Sequence, residues 1–455
     1  MQLTHSFLDL LQHFAPVFTA PTFQIFLQIA GGWILSQRHR YITEIIFSGG
    51  NVGKGHWSCF HRFFSHAAWD RDVLSMFLAK FVVRILAPGA TLFWAVDDTL
   101  CRKRGLTLYG AGMHHDPLIS SRAKPLVSWG HDWVVLCLIV VHPFWAPTKV
   151  FALPIAVRLY RNRQGLTKGK KGKTKAAQRK ADPNHRTRPQ LAVELITLVS
   201  SWFPNDVIMV AGDSAYGGKS VLSNLPANVH LISHVHPKGA LYSPPPPRTA
   251  TSKGAPRKKG ARLPGMAAWA EDETKPWEEL AFDQFGLHAR LAVKTQQALY
   301  YKSGGTRLLT IVLTHDLEGK RPDQMFYCTN LDWSARQILS MYACRWAIEC
   351  TFEACKQFLG LEDPANRLPR AVERTAPMAL FLYTMVVVWF HNIGHRFLKF
   401  PTRPWYLRKK EPSFADLLTT LRQVSYDEQS APLLPKRSRL KTLVLQLTEL
   451  LSRAG

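Results

Sequence analysis

Residues 90–100 read ATLFWAVDDTL, a continuous apolar run that ends in two acids. Such a run predicts a strand buried on both faces, with the acids emerging at its carboxyl end. DWVVLCLIVVHPF (132–144) and VFALPIAVRLY (150–160) have the same apolar, β-branched character and predict neighbouring strands of one sheet. After them PQLAVELITLVSSWFP (189–204) changes to helical periodicity, and VIMVAGDSAYGG (207–218) is a strand running into a glycine-rich turn. Strand, helix and strand in that order predict an α/β core with helices packed on a sheet.

Residues 1 to about 90 predict helices. Leu8, Leu11 and Phe14, then Phe60, Phe63 and Phe64, recur at helical spacing, and Gly49 to Gly53 marks a turn between two helical pieces. This part carries Arg38, His39, Arg40, Lys54, His61 and Arg62. It has no helix-turn-helix signature, so contact with DNA and plain packing both fit. Residues 161–188 form a basic, low-complexity loop with few apolar residues, which reads as a solvated loop or a phosphate-contacting one. A second loop, 237–265, holds four prolines at 244–247 and then Lys253, Arg257, Lys258, Lys259 and Arg262. Residues 285–317 alternate like antiparallel strands around Gly304-Gly305, which predicts a β-rich insertion. Residues 396–455 are basic, leucine-rich and helical in character.

The chain has 455 residues, enough for two or three domains, and 46% are hydrophobic, which excludes a disordered polymer. Lys and Arg number 58 against 32 Asp and Glu, a formal net charge of +26. A field of that sign attracts polyanions, nucleic acid first and an anionic membrane surface second. The longest apolar run, Ala376 to Phe390, is shorter than the ~18 residues a spanning helix needs and predicts a buried helix. The amino terminus, MQLTHSFLDLLQHFAP, lacks the basic start and cleavage pattern of a signal peptide, so the expected location is the cytoplasm. Seven cysteines without a CxxC pair argue against a disulfide framework or a zinc ribbon and fit a reducing compartment. His114-His115-Asp116 with His131-Asp132, and His234-Val235-His236, match no zinc spacing.

Three places combine acids with core elements. Asp97 and Asp98 end one apolar strand and Asp213 follows another, where ligands and catalytic groups collect in α/β sheets. The third is YACRWAIECTFEACK (342–356), a helical stretch apolar on one side yet carrying Arg345, Glu349, Glu353 and Lys356. Intrahelical ion pairs worth a few tenths of a kcal/mol are the bland reading of that stripe, and strand-end turns capped by Asp are the bland reading of the others. Together, two strand-end aspartates and a helix-borne glutamate supply the hard oxygen donors that suit paired Mg²⁺ ions and phosphodiester chemistry.

Tyr342, Arg345, Glu349 and Lys356 are separated by two, three and six residues. This spacing resembles the Tyr-Arg-Glu-Lys signature of bacterial insertion-sequence transposases with a DDE-type, ribonuclease H-like catalytic domain. TNLDWSARQILSMY before it and KQFLGLE after it resemble the same family, as do VDDT (96–99) and GDSAYGG (212–218). The resemblance covers roughly residues 55–395.

Carried over residue by residue, it implies Asp97, Asp213 and Glu349 as catalytic, metal-binding residues for two Mg²⁺ ions, with Mn²⁺ able to substitute. Asp97-Asp98-Thr99 matches the family's first motif from Asp97, and strand alternation admits only one of the two acids, with Asp98 the alternative. Glu353 is the rival to Glu349, since residues four apart share a helix face. Tyr342, Arg345 and Lys356 are expected to hold DNA phosphates. Trp277, in the insertion, is either a base-stacking residue or a core tryptophan.

The expected fold is a ribonuclease H-like mixed α/β sheet flanked by helices, interrupted by a β-rich insertion, with helical ends. Its expected divisions are a helical DNA-binding region (1–88), a catalytic domain (89–225 and 332–395), the insertion (226–331) and a basic helical region (396–455). The expected activity is cleavage at transposon ends and strand transfer into target DNA. The partners are double-stranded DNA, terminal inverted repeats and target alike, and a second copy in a synaptic homodimer, with no membrane. A nuclease without strand transfer and an inactive DNA-binding derivative are the alternatives.

Overall fold

Five helices come first: α1 (His5–Gln12), α2 (Ala20–Leu35), α3 (Ile42–Ser48), α4 (Ser58–Ser65) and α5 (Arg71–Leu86). The computed structural model describes the chain apart from residues 1–2, 54, 90, 122, 163–184, 249–253, 285–286, 401–408, 431, 433–438 and 454–455. Most of the basic loop expected at 161–188 therefore lies outside the described residues, as do Lys54 and Lys253. Helix α5 starts where the Asp70 carboxylate accepts the backbone N–H groups of Asp72 and Val73, satisfying donors that a helix start leaves free.

The apolar run 90–100 is a strand, β1 (Leu92–Arg102), which continues past Asp97 and Asp98, so the two acids lie midway along it and not at its carboxyl end, because β3 goes on pairing with it as far as Arg102. It is followed by β2 (Gly112–His115), β3 (Val127–Val141) and β4 (Val150–Tyr160), then α6 (Arg188–Trp202) and β5 (Ile208–Gly212). Helix α6 opens on a reciprocal cap between Thr187 and Gln190, with Pro189 in its first turn. A short helix α7 (Lys219–Leu222) leads to β6 (Val229–His234). The strands β3 and β4 are buried almost throughout, because α11 (Ala347–Leu359) and α12 (Pro369–Asn392) pack on the sheet with α6.

Strand β1 lies antiparallel to β3, whose other edge takes both β2 and β4. On its far side β1 runs parallel to β5, and β5 parallel to β6. An antiparallel β1-β3-β4 meander extended by two parallel strands is the ribonuclease H-like arrangement. The segment expected as an insertion, 226–331, supplies β6 and also α8 (Met266–Ala270), β7 (Glu278–Gln284), β8 (Leu287–Leu299), α9 (Tyr301–Gly304), β9 (Leu308–Asp316) and β10 (Gln324–Cys328). These last strands join antiparallel in the order β6-β10-β9-β8-β7, so one sheet of ten strands runs through core and insertion.

Helix α10 (Ala335–Cys344), capped by Ser334 and Gln337, precedes α11. The stretch 342–356 is thus not one helix. Arg345 and Trp346 form a tight joint in which Arg345, Trp346 and Ile348 donate backbone hydrogen bonds three residues back. Helix α11 ends at Gly360, whose φ of +60° suits glycine, and where a Cβ would meet the Asp363 carboxylate at 2.3 Å.

Helix α12 is long and apolar enough to cross a membrane, yet it is the core helix of this fold, with Thr384 donating to the Pro154 carbonyl of β4. Phe14 and Phe26 of the amino-terminal part pack edge-on against Phe381 of α12. Two helices, α13 (Phe414–Ser430) and α14 (Arg439–Arg453), complete the chain, and Arg422 donates to the Ile34 and Ser36 carbonyls at the end of α2.

Candidate active site

The parallel register sets the two aspartates side by side. Val96 of β1 pairs with Gly212, the last residue of β5, so Asp97 and Asp213 each directly follow a paired residue on adjacent strands. Helix α11 crosses β1, and the joint before it brings Arg345 over the strand. The Arg345 guanidinium donates to Asp97 Oδ2 at 2.6 Å and to Glu349 Oε1 at 3.2 Å. Asp97, Arg345 and Glu349 therefore form one connected group, and their side chains are 16%, 13% and 39% exposed.

Burial dominates the electrostatics of this group. Burial pushes the Asp97 carboxyl up to about 7 against the pull of Arg345, and the Asp213 and Asp98 charges add to the rise. Buried Arg345 Nε has no hydrogen-bond partner, so the guanidinium keeps a donor beyond the two carboxylates it joins. Tyr342 lies with its ring 5.6 Å below the guanidinium carbon, and burial pushes its hydroxyl up to about 12. His234, at the end of β6, stands edge-on to Tyr342 at 4.7 Å, and burial, then Arg345, hold its imidazolium form down.

Asp213 sits just past β5 and folds the GDSAYGG turn around itself. Its Oδ1 accepts the backbone N–H groups of Ala215 at 2.9 Å and Tyr216 at 3.3 Å. Its carbonyl accepts the Ser233 hydroxyl of β6 at 2.7 Å.

Strand alternation divides Asp97 from Asp98 as expected. Asp98 reaches away from Arg345 to accept the Tyr216 hydroxyl at 2.5 Å and to pair with Arg188 at 3.3 Å. Arg188 also pairs with Asp132 of β3 and covers the Tyr160 ring at 4.5 Å. Burial, then Asp132, push Asp98 up to about 6, and burial likewise raises Asp132. His114 completes this second group, 3.6 Å from Asp132, with burial and then Arg188 pushing it down to about 4.

The remaining site candidates lie elsewhere. Lys356 donates to the Leu100 carbonyl of β1 at 2.7 Å, with Glu362 4.0 Å away. Glu353 is exposed and lines a hollow with Thr148, Lys149, Cys350 and Gln357, apart from Arg345. Trp277 is half-buried over the Lys294 ammonium, 4.6 Å from its ring centre, and that ammonium is itself buried among the Trp269, Ala270 and Asp272 carbonyls.

The family model described as DDE superfamily endonuclease matches residues 51–304, more than half of the chain. The chain belongs to this family. No curated protein matches it. The matched residues of this DDE superfamily endonuclease include Asp97 and Asp213, and they end before the helix that carries Glu349.

DDE-type nucleases generally use divalent metals, and the donors here suit one. Asp97, Asp213 and Glu349 offer hard carboxylate oxygens, the donor type that such cations prefer. Among the described residues no three acidic, histidine or cysteine side chains enclose an ion as they stand, since Arg345 fills the gap between Asp97 and Glu349.

Sequence reasoning weighed His114 and Asp132 only as metal ligands and gave Tyr216 and Arg188 no part in the second group. Tyr216 stood in a quoted motif without a role, and Asp132 opened an apolar strand. A single acid in such a strand is the signal, because a buried carboxylate needs a partner.

Proposed function

We propose that this endonuclease is a DNA transposase that cleaves at the ends of its own element and joins the freed ends to target DNA. The observation that carries the reading is the Asp97-Arg345-Glu349 group with Asp213 beside it, which links an aspartate midway along β1 and one just past β5 to the signature helix. Asp97, Asp213 and Glu349 would hold the divalent cations, two Mg²⁺ with Mn²⁺ as a substitute. Bound there, the cations supply the Lewis acidity and positive charge that an in-line phosphodiester displacement requires.

The protein's own groups orient the reaction. Arg345, stacked over Tyr342, holds a backbone phosphate beside the carboxylates through its charged guanidinium. In the first step water attacks the phosphorus and the 3′-oxygen leaves, giving a free 3′-hydroxyl. In the second that hydroxyl attacks a target phosphodiester, a new P–O bond forms and the target's own 3′-oxygen departs.

The helical region 1–88 and the +26 charge supply non-specific hold on duplex DNA, and a homodimer synapses two ends. The enzyme acts in the bacterial cytoplasm. Incubating the protein with Mg²⁺, plasmid and a pre-cleaved end tests the joining step. Transfer of that end supports a transposase, and cleavage without transfer leaves a nuclease.

A further inference from the structure

The Asp97-Asp98 doublet divides its work between the two faces of β1, and the Asp98 side leads back to Asp213. The Tyr216 hydroxyl donates to Asp98 at 2.5 Å, the Tyr216 backbone N–H donates to the Asp213 carboxylate, and the Tyr216 side chain is fully buried. One residue thus ties an acid of β1 to the acid after β5. The neighbouring turn is held from the same direction: Ser233 donates to the Asp213 carbonyl, and Tyr327 donates to the Gly217 carbonyl at 2.8 Å. A Cβ on Gly217 would meet Ser233 Oγ at 2.3 Å, so the turn and β6 are in close contact.

We propose that Asp98 and Tyr216 are a positioning pair that fixes the Asp213 carboxylate opposite Asp97, and that Asp98 itself holds no metal. The inference rests on the reading of Asp97, Asp213 and Glu349 as the metal-holding acids. Its physical basis is that a carboxylate on a glycine-rich turn has several rotamers, and a buried hydroxyl-carboxylate bond removes the freedom of the turn beneath it. Asp98 acts through an acceptor oxygen, and it shares the single Arg188 guanidinium, 3.3 Å away, with Asp132.

The test is calorimetric titration of the full-length, DNA-free protein with Mn²⁺, with single-turnover cleavage measured alongside. Tyr216→Phe keeps the buried ring and loses only the hydroxyl. It is expected to weaken Mn²⁺ binding by roughly tenfold, the order seen when a ligand's supporting hydrogen bond is removed. Asp98→Ala should lose the same factor, and the double variant no more than either single one. Asp98→Asn, which keeps the acceptor oxygen, should bind Mn²⁺ nearly as the parent does.

Three results overturn the proposal: Tyr216→Phe binding and cleaving as the parent does, losses that add in the double variant, or Asp98→Asn as defective as Asp97→Ala while Tyr216→Phe is intact. The last would make Asp98 a ligand. Ser233→Ala provides a second route to the turn if Asp98→Ala does not fold, and a weakened Mn²⁺ affinity is expected there too. Full Mn²⁺ binding and cleavage by Asp97→Ala would instead remove the underlying reading of the site.

Discussion

Arg345 donates to Asp97 at 2.6 Å while its other amino group reaches Glu349 at 3.2 Å, so one guanidinium spans the space between two acids from distant parts of the chain. The planar fork holds the two acids at fixed angles on separate amino groups, whereas an ammonium is a compact point donor on a flexible stem. Arg345→Lys is therefore expected to act as a loss rather than a conservative exchange. Cleavage should fall by roughly 10²-fold, the cost of one lost transition-state donor. Single-turnover cleavage measures it, and activity within a few-fold of the parent would show that charge alone suffices.

The buried Asp97 carboxyl links the metal-free fold to pH. Its folded value, about 7, lies above the 3.8 of an unfolded Asp, so the native state holds the extra proton between those values. Its contribution to stability is present below about pH 4 and is lost as pH rises through 7. Asp97→Asn cannot lose that proton, so its stability relative to the parent should increase from pH 5 to about pH 7 and level off above it. Denaturant unfolding of both proteins at several pH values, without divalent metal, checks the slope. A constant difference across the range would contradict it.

Glu349 and Glu353 share a helix yet meet different surroundings: Glu349 touches Arg345, and Glu353 is exposed beside Lys149 and Gln357. Glu349→Ala should abolish cleavage with DNA binding retained. Glu353→Ala should stay within a few-fold of the parent. Cleavage assays with gel-shift controls separate them, and the reverse ranking would move the metal-holding role one turn along α11.

Lys356 is anchored on the Leu100 carbonyl rather than free in solvent, its side chain 25% exposed. Removing it leaves that carbonyl without this donor, at a cost of about 1–3 kcal/mol. Lys356→Ala should lower the unfolding midpoint while leaving the salt dependence of DNA affinity unchanged. A slope reduced by about one unit would instead identify Lys356 as a phosphate contact.

The parts of this fold that were legible in sequence are those that local pattern decides. The runs at 90–100, 132–144 and 150–160 could only be buried strands, and they became β1, β3 and β4. The acids at 97 and 213 stood out because each ends such a run. What was hidden depends on pairing between distant residues. The β1-β3 register sets Leu100 opposite Asp132, and together with Arg188 from the start of α6 it builds the second polar group behind Asp97. No spacing within one segment encodes that. The stripe at 342–356 likewise gave the residues but not the joint at Arg345-Trp346, because propensity favours helix straight through it. Nor could it say that Lys356 would meet a carbonyl of β1. For Trp277, the Lys294 cation beneath its ring comes from β8 and was invisible beforehand.

The central claim is that Asp97, Asp213 and Glu349 act together on DNA. The most direct measurement places a marker between the DNA segments that flank this gene and scores its excision and rejoining by the purified protein with Mg²⁺. The parent protein is expected to excise and join the marker, and Asp213→Ala is expected to bind the same DNA while doing neither. Undiminished excision and joining by Asp213→Ala would contradict the account.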